Sequence, residues 1–204
     1  MSKNATVSAD GKLTPRDVVT IGLLSLLLMV MLMAMMTAFF LVPVIYPLAL
    51  AITAIPAGVV MILLLARVPK RGALFLCGFA LALMMLATGH HIVVPIVLTA
   101  GALVAELIWN ATGRGSFAGM RLGYCTLMAG YTVAAFAPFA FLRESAIAET
   151  AASGYDVQAI TTALNLVRPS TLGFIAAITF GGAWLGAAFG RRLLRKHFER
   201  AGRV

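Results

Sequence analysis

Two adjacent histidines, His90 and His91, interrupt apolar sequence in the stretch ATGHHIVVP, residues 87–95. Imidazole offers hydrogen bonding, proton exchange near neutral pH and metal ligation. Neighbouring residues on a helix point about 100° apart. The pair therefore cannot chelate one ion as an i, i+4 pair does. At a turn between two helices both rings can face one cavity. There they contact a ligand by hydrogen bonding or ligate a haem iron axially. The structural alternative is two interfacial histidines solvated by headgroups and water.

Glu106 is the second oddity. It lies within an apolar run, a turn before Trp109 and Asn110. A carboxylate in a membrane span is expensive and by default suggests function. Its structural alternatives are a pair with an inner arginine, or a protonated acid bonded to a neighbouring helix. The position favours a structural role over a proton site. Along one helix the His pair and Glu106 are about fifteen residues apart, which exceeds 20 Å. They do not form one site along that helix.

Other candidates carry less. Met29, Met31, Met33, Met35 and Met36 read as pliable packing surface more than as a copper site. No metal site is expected. Cys77 and Cys125 read as free thiols within apolar runs. The triplet Asn110-Ala111-Thr112 matches a glycosylation sequon on the inner side, where it has no use. There is no Walker motif, no H-E-x-x-H and no G-x-S-x-G. The expectation is a protein that is not an enzyme, with no cofactor of its own. Active transport by it draws energy from a partner or a gradient.

The elements that position these residues follow from composition. The chain has 204 residues, 61% hydrophobic and 11% charged, against about 25% charged in soluble domains. Apolar runs lie at about 18–41, 44–66, 72–89, 92–110, 121–142 and 171–190. Each is near the roughly 20 residues a membrane-crossing helix needs. The first is too long for a signal peptide and lacks a cleavage site. The expected fold class is all-α, a polytopic membrane protein of six transmembrane helices. Of the 16 Lys and Arg, only Arg143 and Arg168 fall on one side of such a chain; the rest gather on the other. The positive-inside rule then predicts an N-in/C-in topology in the cell membrane. The charge of +9 is an orientation signal that also holds the tail to anionic lipid; no nucleic acid is implied.

The predicted organisation is a disordered cytoplasmic N-terminus (1–14), a transmembrane domain (15–196) and a basic cytoplasmic tail (197–204). Thr14-Pro15-Arg16-Asp17 reads as a helix start. Pro43, Tyr46 and Pro47 mark a tight outer turn, with Tyr46 an aromatic anchor. Pro56 should kink the second span. In the longest outer loop, 143–170, Val157, Ile160, Leu164 and Val167 predict one short amphipathic helix capped by Asp156. It lies on the membrane or closes over a cavity as a lid. Gly182, Gly186 and Gly190 allow close helix approach.

The stretches RDVVTIGLLSLLL (16–28), LLLARVPKRGALFLCG (63–78), ATGHHIVV (87–94), LVAELIWNATG (103–113) and FGRRLLRKHFERAGRV (189–204) carry a resemblance. They are similar to the MptS, or Trep_Strep, group of substrate-binding S components of energy-coupling-factor (ECF) ABC transporters. The resemblance implies that a micronutrient is bound in the outer half, beneath lid loops. The chain then docks on a transmembrane T component driven by two cytoplasmic ATPases. On that basis His90, His91, Thr88 and Tyr46 are expected at the substrate. The His pair tilts the substrate towards haem over a vitamin. S components often dock through an Ala-x-x-x-Ala face near the inner end of the first helix. Here the pair Ala34 and Ala38 lies at the outer end, so Gly22 and Ser25 are the docking candidates. The competing class is a stand-alone proton-coupled secondary transporter with Glu106 as its proton site.

Overall fold

A computed structural model describes residues 11–42 and 45–200, with side chains as far as 195. Of the N-terminus expected as disordered, 1–14, residues 1–10 lie outside the described residues, as do Pro43 and the end of the tail, 201–204; Thr14 is ordered as the cap of the first helix. Among the described residues the fold is all-helical. The elements are α1 (Pro15–Phe40), a 3-10 turn (Tyr46–Leu48), α2 (Ala49–Arg67), α3 (Ala73–Ala87), α4 (Val93–Thr112), α5 (Phe117–Phe141), α6 (Arg143–Ala152), α7 (Val157–Ala163) and α8 (Pro169–Arg200). The last helix continues ten residues past its apolar run, into the segment expected as tail.

Helix α1 begins as its sequence predicts. Thr14 caps it, Pro15 occupies the first turn, and Thr14 and Asp17 exchange side-chain-to-backbone hydrogen bonds as a capping box. Asp17 also meets the Lys70 ammonium at 2.6 Å. That bridge fixes the start of α1 against the α2–α3 connection.

Among the described residues five helices are long and apolar enough to cross a membrane. The difference from six runs falls on α3. It has 15 residues and rises about 22 Å, short of a hydrocarbon core of about 30 Å. Glycines at both ends set its length. Gly72 (φ +85°) precedes it and Gly89 (φ +78°) follows it, both in the left-handed region that side chains avoid.

The chain runs back and forth, so two ends can be distinguished. Asp17, Lys70, Glu106, Arg121 and Arg191 collect at one, the basic end. There the Arg121 guanidinium lies 3.4 Å over the Trp184 ring, and that of Arg191 lies 4.5 Å over Phe117. These cation–π contacts tie the start of α5 to α8. The other end holds the α1–α2 connection, the His pair and residues 143–168.

Helix α2 is the central strut: 61% of its apolar window is buried, against 28% for α1. It packs on α8 through glycine. A Cβ on Gly182 would enter the Ala51 carbonyl, and one on Gly186 would enter that of Ala54. The expected small-residue seam is therefore a contact within this bundle. Pro56 lies inside a continuous α2, and the Tyr124 hydroxyl donates to the Ala54 carbonyl beside it. Cys77 and Cys125 are buried free thiols.

Segment 143–170 forms two helices, not one. Asp156 caps α7 as expected, accepting from the Ala159 N–H at 2.9 Å. Ile160, Leu164 and Val167 are buried, while Val157 is exposed. The additional helix, α6, has the sequence RESAIAETAA. Its small residues give little apolar periodicity to read. The Arg143 guanidinium at its start donates to the carbonyls of Leu164 and Val167, joining α6 to the end of α7.

Candidate functional site

The site begins with the way α3 stops. Thr88 is its last cap, and Gly89 follows with positive φ. The Gly89 N–H donates to the Leu86 carbonyl at 3.2 Å, and the His90 N–H donates to that of Met85 at 3.1 Å. These two bonds make a Schellman motif, which a left-handed glycine permits. The reversal places His90 at the end of α3 and His91 at the start of α4. Each histidine is then held separately. The Thr88 hydroxyl lies 2.9 Å from His90 Nδ1. His91 Nδ1 accepts from the Val93 N–H at 3.2 Å and so satisfies one of the orphan donors opening α4. His90 stands at the rim, where partial burial among apolar neighbours pushes its imidazole below the usual 6.5.

Both histidines line a partly open cavity of about 240 Å³. Thr88 and Tyr46 line it too, so the four sequence-derived candidates converge on one site. Tyr46 does not face outward as an interfacial anchor. Its ring packs edge-on against Phe40 at 5.4 Å and Phe136 at 6.0 Å. Met33 and Met36 of α1 also line the cavity, which leaves the methionine cluster as packing surface with two members at the site.

Several lining residues were not anticipated. Glu149 of α6 reaches the cavity, with its carboxylate 4.0 Å from His91 Nε2. Phe40 is stacked edge-on with Tyr155 from the α6–α7 connection at 5.4 Å. A signal for Glu149 was present. Ala146, Glu149, Thr150 and Ser153 recur at spacings of three and four, and all but the fully buried Ala146 are polar.

Glu106 lies at the other end, and its partners are main chain. Its Oε1 accepts from the Gly72 N–H at 2.8 Å, and its Oε2 from those of Leu74 and Phe75 at 3.1 Å each. The Asn110 amide adds a fourth donor at 3.0 Å. Glu106 thus caps α3 from a neighbouring helix. Among the described residues its four hydrogen bonds come from main-chain N–H groups and an amide, where a pair with an inner arginine or a protonated acid was the expectation. Asn110, the sequon residue, is engaged inside α4. Gly22 and Ser25 do not share a face: Gly22 is exposed, with nothing within 4 Å of an added Cβ, and Ser25 is fully buried. Among the described residues no three His, Cys, Asp or Glu side chains gather as a metal site.

The Schellman turn makes a testable demand. Gly89→Ala is expected to lower stability by about 1–2 kcal/mol, the penalty for a side chain in the left-handed region. It should also move both cavity imidazole resonances in side-chain NMR. Gly115, in open space and without positive φ, is the control. Unmoved imidazole signals in Gly89→Ala would show that the glycine does not set the pair.

An all-helical chain with five helices of spanning length and apolarity defines an integral membrane protein. The chain belongs to the family described as a hypothetical bacterial integral membrane protein (Trep_Strep), whose match covers residues 15–200. No curated protein and no solved structure matches the chain.

Proposed function

We propose that the chain is the substrate-binding S component of an ECF-type importer. On this reading it crosses the cell membrane six times with both termini inside. It captures a small micronutrient from the outer side and delivers it by docking on a T component powered by two ATPases. The observation that carries the reading is the partly open cavity at the end opposite the basic end, with α6 forming part of its wall. The short α3 still fits a six-span chain, because a bilayer thins locally around a short span at modest cost.

The cavity's size argues about the ligand. At about 240 Å³ it is just below the roughly 300–1,000 Å³ of drug-sized pockets. It also lacks a basic residue to meet the two carboxylates of a haem. Both points favour a vitamin-sized molecule over the tetrapyrrole towards which the histidines alone tilt. For docking, the exposed strip of α1 around Gly22, with Val18, Val19, Leu23 and Leu26, is the surface that suits a T component. Ser25 supports that helix from within. The capping role of Glu106 weighs against the proton-coupled carrier.

The test is native mass spectrometry of the tagged chain, extracted gently from its own cells. The expected result is a complex with a T component and two ATPases. A bare chain under several detergents, together with proton-driven uptake by the chain alone in proteoliposomes, would replace this reading with the secondary carrier.

A further inference from the structure

The charge of the cavity is as informative as its size. Among the described residues no lysine or arginine lines it, and Glu149 is its one carboxylate. Arg143, on the same helix as Glu149, donates to the carbonyls of Leu164 and Val167 instead. His91 is held by the backbone: its Nδ1 accepts from the Val93 N–H, which leaves Nε2 towards the carboxylate. That nitrogen is 4.0 Å from Glu149 Oε1, beyond a hydrogen bond. An anion entering here would leave water with no partner of opposite charge, which is costly.

The apolar wall is made of rings set at right angles. Tyr155 meets Phe40 at an interplanar angle of 80°, Phe40 meets Tyr46 at 84°, and Tyr46 meets Phe136 at 79°. Rings set in this way turn their planes in different directions, and all four line the cavity. The faces of aromatic rings are negative, and cations within about 6 Å of a ring centre are attracted to them. Recognition of quaternary ammonium groups uses this kind of surface.

We propose that the cavity takes a small organic cation of the alkylated ammonium class, held by the rings of Phe40, Tyr46 and Tyr155 and offset by the Glu149 carboxylate. The proposal rests on the reading of this cavity as the ligand site, and it adds the ligand's charge.

The test uses the full chain in lipid nanodiscs and isothermal titration with four probes. These are phenyltrimethylammonium, choline, its uncharged isostere 3,3-dimethylbutan-1-ol, and the anion 3,3-dimethylbutanoate. Both cations are expected to bind, choline at least tenfold tighter than its isostere, and the anion not at all. Glu149→Gln should weaken cation binding about tenfold and leave the isostere unchanged; the half-exposed side chain makes no hydrogen bond among the described residues, so the variant should melt as the parent does. Phe40→Leu should weaken both cations by a similar factor. Equal affinity for choline and its isostere overturns the proposal. So does unchanged cation binding in both variants, or no binding of either cation to protein that melts cooperatively. Partner ATPases play no part in the titration. A chain that binds cations but co-purifies no ATPase keeps this proposal and loses the S-component reading.

Discussion

A valine at Gly186 is expected to cost the folded bundle about 3 kcal/mol or more, the upper range for overpacking. A Cβ there would enter the Ala54 carbonyl and stand 2.8 Å from the Ile55 carbonyl oxygen and 3.0 Å from Ile55 Cα. All of these are backbone atoms of α2, so no side chain can rotate away. The two helices must part. Gly182 lies against Ala51 one turn earlier, and Gly190 against Gly58 and Val59 one turn later. Separation at the middle therefore opens the whole seam. Association of helices in lipid depends on such close packing, because lipid tails are as apolar as the side chains. The loss is a large share of a typical stability of 5–15 kcal/mol. Gly181→Val is the control: nothing lies within 4 Å of its added Cβ, and the change should stay within about 0.5 kcal/mol. Thermal unfolding in one detergent compares the two. Equal melting temperatures would show that α2 and α8 do not pack in this way.

Glu106→Ala is expected to lose about 3 kcal/mol as well, for a different reason. It would strip the acceptor from the N–H groups of Gly72, Leu74 and Phe75. A buried donor left unsatisfied costs roughly 1–3 kcal/mol, and water at this end would recover part of the loss. Glu106→Gln keeps one acceptor oxygen but turns an amide N–H towards backbone donors. It should lose about 1–2 kcal/mol. The two substitutions separate structure from transport. If Glu106 were a proton site, the glutamine variant would melt normally and fail only in proton-driven uptake. The capping role predicts graded loss of melting temperature, with uptake following the amount of folded protein.

What the sequence displayed and what it hid divide along physical lines. Local signals were legible. Thr14 caps α1 and Pro15 opens it as expected, Asp156 caps α7, and Ile160, Leu164 and Val167 are buried at their expected spacing. The His pair, Thr88 and Tyr46 share a cavity because a helix-stopping glycine lies between the threonine and the histidines. The hidden parts depend on partners distant in sequence. The partners of Glu106 were hidden because its donors are main-chain N–H groups, which carry no residue signature. Ser25 and Gly22 looked equivalent as small residues, yet one faces inward and the other out. Helix α6 escaped notice because Arg-Glu-Ser-Ala-Ile-Ala-Glu-Thr lacks the apolar face that periodicity detects. Its small side chains instead leave room for a cavity.

Glu149 is carried by α6, whereas the rings lining the same cavity come from α1, the 3-10 turn and the α6–α7 connection. A ligand touching both the acid and the rings is therefore a tie between separate parts of the molecule. Its grip is set partly by how far α6 rests from the bundle when nothing is bound. If α6 spends only a fraction of its time in place, the apparent affinity falls by that same fraction. A substitution that loosens α6 without touching the cavity, such as one at Arg143, would then weaken binding as surely as a change in the rings. The strength of capture and the resting position of this helix are one thermodynamic quantity, measured from two sides.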